Sequence, residues 1–547
     1  MKYLMKPLCS LILILGISTI VFAQKLEKQF DQMLNEQYLP DEPGATAIVA
    51  INGKIVYHKA FGMANLELDV KMEPDMVLEI GSITKQFTAV SILMLMEQGK
   101  LDLDDDITKF IEDYPAHGHH ISIHHLLTHT SGIKSYTSME SWAPVWRKDF
   151  EAKELIDFFK NEPMDFAPGE EWRYNNSAYF ILGYIIEKAS GQTYEAFVET
   201  NIFEPLEMQS SLYGSNSEII KKRAYGYQEN EKYVNAEYLS LTQPYAAGSL
   251  MSTVGDLYLW NRAIRSNKLV KQESIELAFT NYELNNGEKI NYGYGWGINE
   301  INGSQTVEHS GGIFGYVTNS IYLPSEDVFV AIFSNCDCND PGQVSTKMAA
   351  IAIGKPYLGQ GDAIPVESDD LKKLVGVYDF DDNSSRIITL EDNQLYSLRT
   401  GSSKIKIYST KKNTFSYDNH FATIQFQENG KEVKAVFANR INKTNGIKTD
   451  KPIPVHNEIQ LELKTLQSYI GVYEINPGFD ITITIEDEKL MSQATGQQKL
   501  QIFPESQTKF FLKVIDAQIE FIQSDNGKFE SFILYQGGQE ISGKRKN

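Results

Sequence analysis

Ser82 and Lys85 are the residues whose types and spacing point most directly to chemistry. They lie where a strand-like run, Met76–Ile80, meets the start of a helical pattern. Residues three apart on a helix share a face, so we expect the two side chains to touch. A lysine whose pKa is lowered by burial accepts the proton of a serine and makes that serine a nucleophile. The same spacing recurs from serines 131, 403, 409 and 506, so spacing alone does not select Ser82.

Two further segments carry side chains that suit a hydrolase. Tyr174 and Asn176 follow a Pro-Gly pair at 168–169, and in an extended chain they project to one side. His309 and Ser310 precede two glycines on or just after a strand-like run, and glycines let a substrate lie against the backbone. Each segment also has a purely structural interpretation, as a tyrosine packed under a turn and as a glycine-rich turn between strands.

The order Ser-x-x-Lys, Tyr-x-Asn, His-Ser-Gly resembles the serine β-lactamase-like family. That family includes class C β-lactamases, DD-peptidases, D-aminopeptidases and related esterases. Family-like segments accompany the motifs: GSITKQFTA at 81, ISIHHLLTHTSGI at 121, FAPGEEWRYNNSAY at 166 and AAGSLMSTVGDL at 246. The resemblance covers about residues 25–354, and it is specific for fold and nucleophile but much less so for substrate.

The resemblance implies a role for each motif residue. Ser82 would be the nucleophile, Lys85 its close partner, and Tyr174 the general base and leaving-group acid. Which of Lys85 and Tyr174 holds the proton at each step stays open. The substrate-binding residues would be Asn176, His309, Ser310 and Gly311. The oxyanion hole would be formed by two backbone N–H groups, those of Ser82 and Gly312.

His309 marks a departure from typical class C β-lactamases, which carry lysine at this position. An ordinary histidine is mostly neutral at pH 7, so it anchors a substrate carboxylate poorly. We therefore predict hydrolysis of a peptide, a D-amino-acid amide or a small ester through an acyl-Ser82, with slow or absent β-lactam turnover. A true β-lactamase and a non-catalytic penicillin-binding-like protein that recognises cell-wall peptides are the alternatives.

The strand and helix signals predict an α+β fold. An antiparallel sheet begins with a hairpin at 45–59, is interrupted by a helical insert from Ser82 to about Val198, and is completed by strands between 306 and 334. Beyond about residue 355 a repeat with an offset of 95 residues brings Gly376-Val-Tyr back as Gly471-Val-Tyr. We predict a hydrolase domain at 24–358 and two all-β modules, at 359–455 and 456–547, which resemble small lipocalin-like barrels.

The beginning of the chain and its net charge bear on location and partners. Residues 1–23 have the order of a signal peptide cleaved after Ala23, which predicts a periplasmic or secreted protein. No later apolar run is long enough to predict a membrane span. The net charge of −21 disfavours nucleic acid as a partner. A small molecule or a peptide, such as one derived from the cell wall, is the predicted substrate, and the oligomeric state stays open.

The remaining reactive residues do not predict a cofactor or a metal. Cys336 and Cys338 are too few for a disulfide framework or a zinc site, and their redox state stays open. Six histidines fall between 117 and 129, but without a HExxH motif we interpret them as structural. Thr253 and Asp256 fit a helix capping box. Aromatic residues alternate with glycines from Tyr292 to Gly297, where they line a substrate cleft or, by our preferred interpretation, pack a sheet edge.

Overall fold

The computed structural model describes residues 24–430, 432–524 and 527–546. The predicted signal peptide lies outside the described residues. The chain divides into two compact units, one ending at Tyr357 and the other beginning at Leu358. Within the described ranges, no helix is long and apolar enough to cross a membrane.

The first unit is built on a six-stranded antiparallel sheet of order β10-β11-β12-β13-β1-β2. Its first and last strands in the chain are neighbours, because β1 pairs with β13 from Ala45 opposite Ser334 to Ile51 opposite Val328. This confirms the prediction that one sheet begins with the hairpin at 45–59 and is completed by strands between 306 and 334. The strands of this unit are β1 (Ala45–Ile51), β2 (Lys54–Phe61), β3 (Met63–Asn65), β4 (Val70–Lys71), β5 (Leu78–Glu79), β6 (Leu212–Tyr213), β7 (Tyr227–Asn230), β8 (Lys232–Asn235), β9 (Leu250–Ser252), β10 (Gly297–Ile301), β11 (Ser304–Ile313), β12 (Tyr316–Leu323) and β13 (Val328–Ser334).

Helices cover both faces of this sheet. Strand β13 shows why, since all seven of its residues are buried and alternate side chains enter different cores. Phe329 and Phe333 pack with the helical insert, whereas Val330 and Ile332 pack with α1 and α10. The helices are α1 (residues 24–37), α2 (Thr84–Glu97), α3 (Ile123–Leu127), α4 (Ala152–Phe159), α5 (Asn176–Ser190), α6 (Tyr194–Val198), α7 (Glu204–Leu206), α8 (Val254–Ala263), α9 (Gln272–Ala278) and α10 (Gly342–Ala352).

Helix α2 runs through the middle of the insert and is buried on nearly all sides. Its polar residues are therefore hydrogen-bonded inside the protein. Thr88 Oγ1 donates to the Ala246 carbonyl at 2.6 Å, and Ser91 Oγ donates to the Phe87 carbonyl at 2.8 Å. The start of this helix is as buried as its middle, so Lys85 has no access to bulk water.

The turn that precedes α2 packs backbone against backbone on strand β11. A Cβ atom at Gly311 would lie 2.0 Å from the Ile80 carbonyl oxygen, a distance that real Cβ atoms do not reach. The same carbonyl accepts a hydrogen bond from Thr318 Oγ1 at 3.0 Å. Gly81 adopts a positive φ of 51° beside Gly312. Glycine at 311 thus allows the contact between this turn and the sheet.

The second unit contains two β modules. In the first module, eight antiparallel strands form a closed barrel in which β14 also pairs with β21. A short helix, α11 (Ser368–Leu374), precedes it. The strands are β14 (Gly376–Phe380), β15 (Ser385–Glu391), β16 (Gln394–Arg399), β17 (Lys404–Lys411), β18 (Thr414–Tyr417), β19 (Thr423–Asn429), β20 (Glu432–Ala438) and β21 (Lys443–Lys448).

The second module repeats this order with one interruption. The equivalent of β17 is split at Ile502 into β25 and β26, so the sheet has nine strands and its two ends are consecutive in the chain. The predicted fold class, a β-lactamase-like domain followed by repeated small barrels, is confirmed. The elements are α12 (Leu463–Gln467), β22 (Gly471–Asn476), β23 (Phe479–Glu486), β24 (Lys489–Ala494), β25 (Leu500–Gln501), β26 (Phe503–Pro504), β27 (Lys509–Phe511), β28 (Ala517–Gln523), β29 (Phe529–Gln536) and β30 (Gln539–Arg545).

The structure answers one open question and corrects one local expectation. Cys336 and Cys338, whose redox state the sequence left open, are joined to each other by a disulfide. Their Cα atoms are 5.1 Å apart, within the range that a disulfide spans. Thr253 caps α8 by accepting the Asp256 N–H at 3.0 Å, but the reciprocal half of the capping box is absent. The Asp256 carboxylate instead accepts the Ser210 N–H at 2.8 Å.

The glycines of β11 provide a matched pair for a stability measurement. We expect Gly311→Ala to lower the free energy of unfolding of the first unit by about 1–3 kcal/mol, because its Cβ overlaps the Ile80 carbonyl. Gly312→Ala is the control, since a Cβ there enters open space. Thermal unfolding followed by circular dichroism measures both. Equal melting temperatures for the two variants would contradict the packing described here.

Candidate active site

The predicted catalytic residues come together from three separate elements. Ser82 lies in the short 3₁₀ turn Gly81–Ile83, and Lys85 lies one residue inside α2. Asn176 is the first residue of α5, and Tyr174 directly precedes the residue that caps that helix. Strand β11 carries His309 to Gly312 along one side. Two helix starts and one strand therefore meet where the three sequence motifs are placed.

Lys85 Nζ lies among three oxygen atoms. It is 3.1 Å from Ser82 Oγ, 2.9 Å from Asn176 Oδ1 and 2.8 Å from the carbonyl oxygen of Ala247. The amide and carbonyl oxygens only accept hydrogen bonds, so they use both N–H groups of a neutral amine. The lone pair of that amine is then left for the third neighbour, the Ser82 hydroxyl. The arrangement orients a neutral lysine to accept the proton of Ser82.

Burial determines the charge of Lys85. The side chain is fully buried, and desolvation lowers its pKa well below the usual value. Nζ lies 4.8 Å from the ring centre of Tyr174 and 5.5 Å from that of Tyr179. In the described ranges no carboxylate forms a salt bridge with it. A lysine in this environment loses its proton at a lower pH than an exposed lysine does, which suits it to act as a base.

The pKa of Tyr174 is shifted upwards, whereas that of Lys85 is shifted downwards. Burial raises the pKa of its phenol, and the neighbouring Ser82 hydroxyl offsets that effect only in part. Its hydroxyl is shielded from water and makes no hydrogen bond of good geometry with any described residue. A phenol in this state keeps its proton at neutral pH. Lys85 and Tyr174 therefore have opposite protonation tendencies, one suited to a base and the other to an acid.

His309 is held in one neutral form by two hydrogen bonds. Its Nδ1 lies 2.6 Å from the carbonyl oxygen of Ser310, which only accepts, so Nδ1 carries the hydrogen. Nε2 is then the bare nitrogen, and it accepts from the Tyr292 hydroxyl at 2.9 Å. Burial, with a smaller contribution from the nearby Lys85, lowers the pKa of the imidazole to about 3. Both ring nitrogens are thus occupied within the protein, and the ring carries no charge at pH 7.

A cavity of about 190 Å³ opens in front of Ser82. Of the predicted site residues, Ser82, Asn176 and Gly312 line it, whereas Lys85, Tyr174, His309, Ser310 and Gly311 do not. None of the lining residues has a charged side chain, and most are apolar or aromatic. These apolar and aromatic residues are Tyr136, Trp142, Leu239, Pro244, Ala247, Ile313 and Phe314.

Three residues of the site were not identified from the sequence. Thr137 Oγ1 accepts the Asn176 Nδ2–H at 3.1 Å and fixes the amide so that its oxygen faces Lys85. The Ala247 carbonyl is a backbone group, so no side-chain pattern identifies it. Tyr292 was assigned to a sheet edge, but it is 5% exposed and its hydroxyl binds His309. The alternation of aromatic residues with glycines from Tyr292 to Gly297 is the sequence feature that points to Tyr292.

The clustered histidines have partners within the fold. His124 Nδ1 lies 2.8 Å from the Tyr294 hydroxyl, and His125 completes the capping box of α3 with Ser122. His129 is fully buried, and its Nδ1 accepts the Asn175 N–H at 3.1 Å. Burial lowers its pKa well below the ordinary value, so the hydrogen of the neutral ring is on Nε2. Its ring centre is 4.4 Å from that of Tyr174, so His129 forms part of the support behind the phenol.

The comparison with protein families agrees with this geometry. The sequence model of the family described as Beta-lactamase matches residues 27–354, which is more than half of the 547 residues. This chain belongs to the beta-lactamase family. A second model, described as a domain of unknown function (DUF3471), matches residues 456–545 in the second β module.

Relatives of this family member carry several activities in their names. Penicillin-binding protein 4* of Bacillus subtilis is 28% identical over 515 residues, which cover 90% of this chain and 93% of that protein. Esterase EstB of Burkholderia gladioli is 35% identical over 202 residues, covering 34% of this chain and 50% of the esterase. The structure of a D-stereospecific amidohydrolase from Streptomyces is 25% identical with a TM-score of 0.52, covering 58% of this chain and 97% of that one. The beta-lactamase family is thus represented here by penicillin-binding, esterase and amidohydrolase relatives.

The shifted pKa values predict an unusual pH profile. Lys85 acts as a base only when neutral, so activity should fall as the pH drops through its lowered pKa. With an ordinary lysine, activity would instead begin to rise only near about pH 10. His309, with a pKa of about 3, should add no inflection near pH 6.5. We expect kcat/KM for an uncharged ester to reach its plateau at a pH well below 10.5, the ordinary pKa of lysine. An inflection near 6.5 that disappears in His309→Gln would contradict the assigned state of His309.

Proposed function

We propose that this protein is an exported serine hydrolase that forms an acyl-enzyme on Ser82. It cleaves a peptide, a D-amino-acid amide or a small ester bond. The observation that carries the proposal is the 3.1 Å contact between Ser82 Oγ and Lys85 Nζ, whose two other neighbours are obligate acceptors. The contact lies at a cavity large enough for an acyl group.

In the first step Ser82 gives its proton to Lys85 Nζ while Oγ bonds to the carbonyl carbon of the substrate. The carbonyl oxygen becomes an oxyanion and is bound by the backbone N–H groups of Ser82 and Gly312. The close approach of Gly81, the residue before Ser82, to the Gly312 backbone supports this assignment.

In the second step the bond to the leaving group breaks. Tyr174, whose raised pKa keeps it protonated, donates its proton to the departing oxygen or nitrogen. The proton taken up by Lys85 then returns to the Tyr174 phenolate, so that both groups recover their starting protonation states. Water attacks the acyl-Ser82, releases the acid and returns the proton to Ser82. Asn176 orients the acyl group and Lys85 together.

The chemistry of the cavity supports an uncharged acyl group. An unpaired carboxylate is costly to bury, and the lining provides no cation to compensate it. His309 is neutral, with both nitrogens occupied, so we assign it a positioning role along with Ser310 and Gly311. Amides and esters with an apolar or aromatic acyl part suit the cavity better than β-lactams, which carry a carboxylate.

Two features support export. Residues 1–23 have the order of a signal peptide. The Cys336–Cys338 disulfide is compatible with an oxidising compartment, where disulfides persist. We therefore propose a periplasmic or secreted location.

Covalent labelling of Ser82 tests the proposal. We expect a p-nitrophenyl ester or a fluorophosphonate to add one acyl or phosphonyl group to the protein, as measured by intact mass. Ser82→Ala should form no adduct, and its kcat should fall by about 10³-fold or more. Ser131→Ala, which removes another serine with lysine three positions later, is the control and should still be labelled. A folded protein that forms no adduct would favour a non-catalytic binding protein.

A substrate panel tests the predicted preference. We expect p-nitrophenyl esters and D-amino-acid anilides to be hydrolysed with kcat/KM about tenfold or more above that for a chromogenic cephalosporin. D-Ala-D-Ala peptides, which end in a carboxylate, should fall below neutral amides of similar size. Cephalosporin turnover that rivals ester turnover would overturn the ranking and favour a β-lactamase.

A further inference from the structure

The second β module contains a cavity of about 370 Å³ in its interior. Eleven of its sixteen lining residues are apolar and the other five are uncharged polar residues. Ile481, Ile519 and Leu534 form a buried floor. Gln497 and Gln498, which are exposed, lie at the mouth. The cavity is thus apolar inside, polar at its opening and free of charged side chains throughout.

The first β module shows how the same fold fills this space. Arg386 is 5% exposed, and its guanidinium carbon lies 3.7 Å from the ring centre of Phe437 and 5.4 Å from that of Phe380. The Phe437 ring is also 5.6 Å from that of Tyr417. Three aromatic rings and one guanidinium therefore form a side-chain plug inside the first barrel.

Strand register identifies the equivalent positions in the second module. Arg386 is paired with Tyr378, and Ile481 is paired with Tyr473, which is Tyr378 displaced by 95 residues. Phe437 is opposite Ile424, and Leu534 is opposite the equivalent Ile519. The plug positions of Phe380 and Tyr417 become Ile475 and Leu512 at the same offset.

All four plug positions carry smaller aliphatic side chains in the second module, and all four line its cavity. An apolar cavity that remains unfilled weakens a fold, because the wall atoms lose dispersion contacts. Cavities of roughly 300–1,000 Å³ with a few polar groups are typical of small-molecule sites. The duplication therefore leaves the space between the four plug positions filled by side chains in the first barrel and open to a ligand in the second.

The mouth of the cavity is held in place by contacts within the second unit. Asp516 N–H donates to the Ser402 carbonyl at 3.0 Å, and Gln536 Nε2 donates to the Gly401 carbonyl at 3.3 Å. Gln536 itself lines the cavity. Because a loop of the first module fixes this edge, the cavity does not need to form around a ligand.

We propose that the second β module binds one small uncharged molecule with an apolar body and a single hydroxyl, ester or amide end. The apolar part lies between Ile481, Ile519 and Leu534, and the polar end hydrogen-bonds at Gln497 and Gln498. The volume is more than twice the roughly 150 Å³ that holds benzene, so a medium-chain alcohol, ester or amide fits. A carboxylate or an ammonium ion is excluded because no side chain in the lining neutralises it.

Fluorescence titration of the full chain with N-phenyl-1-naphthylamine, an uncharged probe of apolar sites, tests the proposal. We expect saturable binding of one probe per chain, with emission increased on binding. 1-Decanol should displace the probe, and decanoate, which differs in its charged end, should do so at least tenfold less well. Absence of saturable binding, or equal displacement by both competitors, would overturn the proposal.

Substitutions that rebuild the plug locate the site. We expect Leu534→Phe, alone and combined with Ile481→Arg, to weaken probe binding at least tenfold while ester hydrolysis at Ser82 stays unchanged. Ile522→Phe is the matched control, because Ile522 is 40% exposed on β28 and does not line the cavity. The melting temperature of each variant reports folding, and Leu534→Phe decides the outcome if the double variant is unstable. Undiminished probe binding in a folded Leu534→Phe protein would place the probe elsewhere and contradict the proposal.

Discussion

The burial of one amino group is the constraint on which the first unit depends. Lys85 occupies the interior at the start of α2, where desolvation lowers its pKa and two obligate acceptors hydrogen-bond its amino group. Those acceptors come from α5 and from the 3₁₀ turn at Ala247, so both elements must dock on α2 for the lysine to be satisfied. The same docking brings Ser82 to the lone pair of the amine. Folding and the proposed activation of Ser82 thus require the same set of contacts.

The sheet contributes to the candidate active site through the backbone of β11 more than through its side chains. Gly311 allows β11 to lie against the Ile80 carbonyl, and this contact places Gly312 beside the turn that carries Ser82. His309, the side chain that the motif makes most conspicuous, is engaged on both nitrogens with Ser310 and Tyr292. It therefore supports the wall of the site as a neutral group. A neutral histidine in place of lysine therefore alters the expected substrate and leaves the proposed catalytic pair, Ser82 and Lys85, in contact.

The two β modules show how one fold separates stability from binding. Both have a short helix followed by strands in the same order, and their offset of 95 residues is conserved in the strand register. In the first module, Arg386 stacked on Phe437 fills the interior. Smaller side chains at the same positions leave the second module with a cavity. The different side chains at the four plug positions account for the cavity that the second barrel has in place of the plug.

The sequence by itself determined the fold class, the three motifs and the repeat, because these rest on local periodicity, spacing and the identity of residues. Only the tertiary structure decided the rest. The Ala247 carbonyl at Lys85, the Tyr292 hydroxyl on His309 and the cavity of the second module all depend on segments distant in the chain. The Cys336–Cys338 pairing depends on the local backbone that brings the two Cα atoms to 5.1 Å. Protonation states follow the same rule, since burial shifts a pKa and burial exists only after the chain has packed.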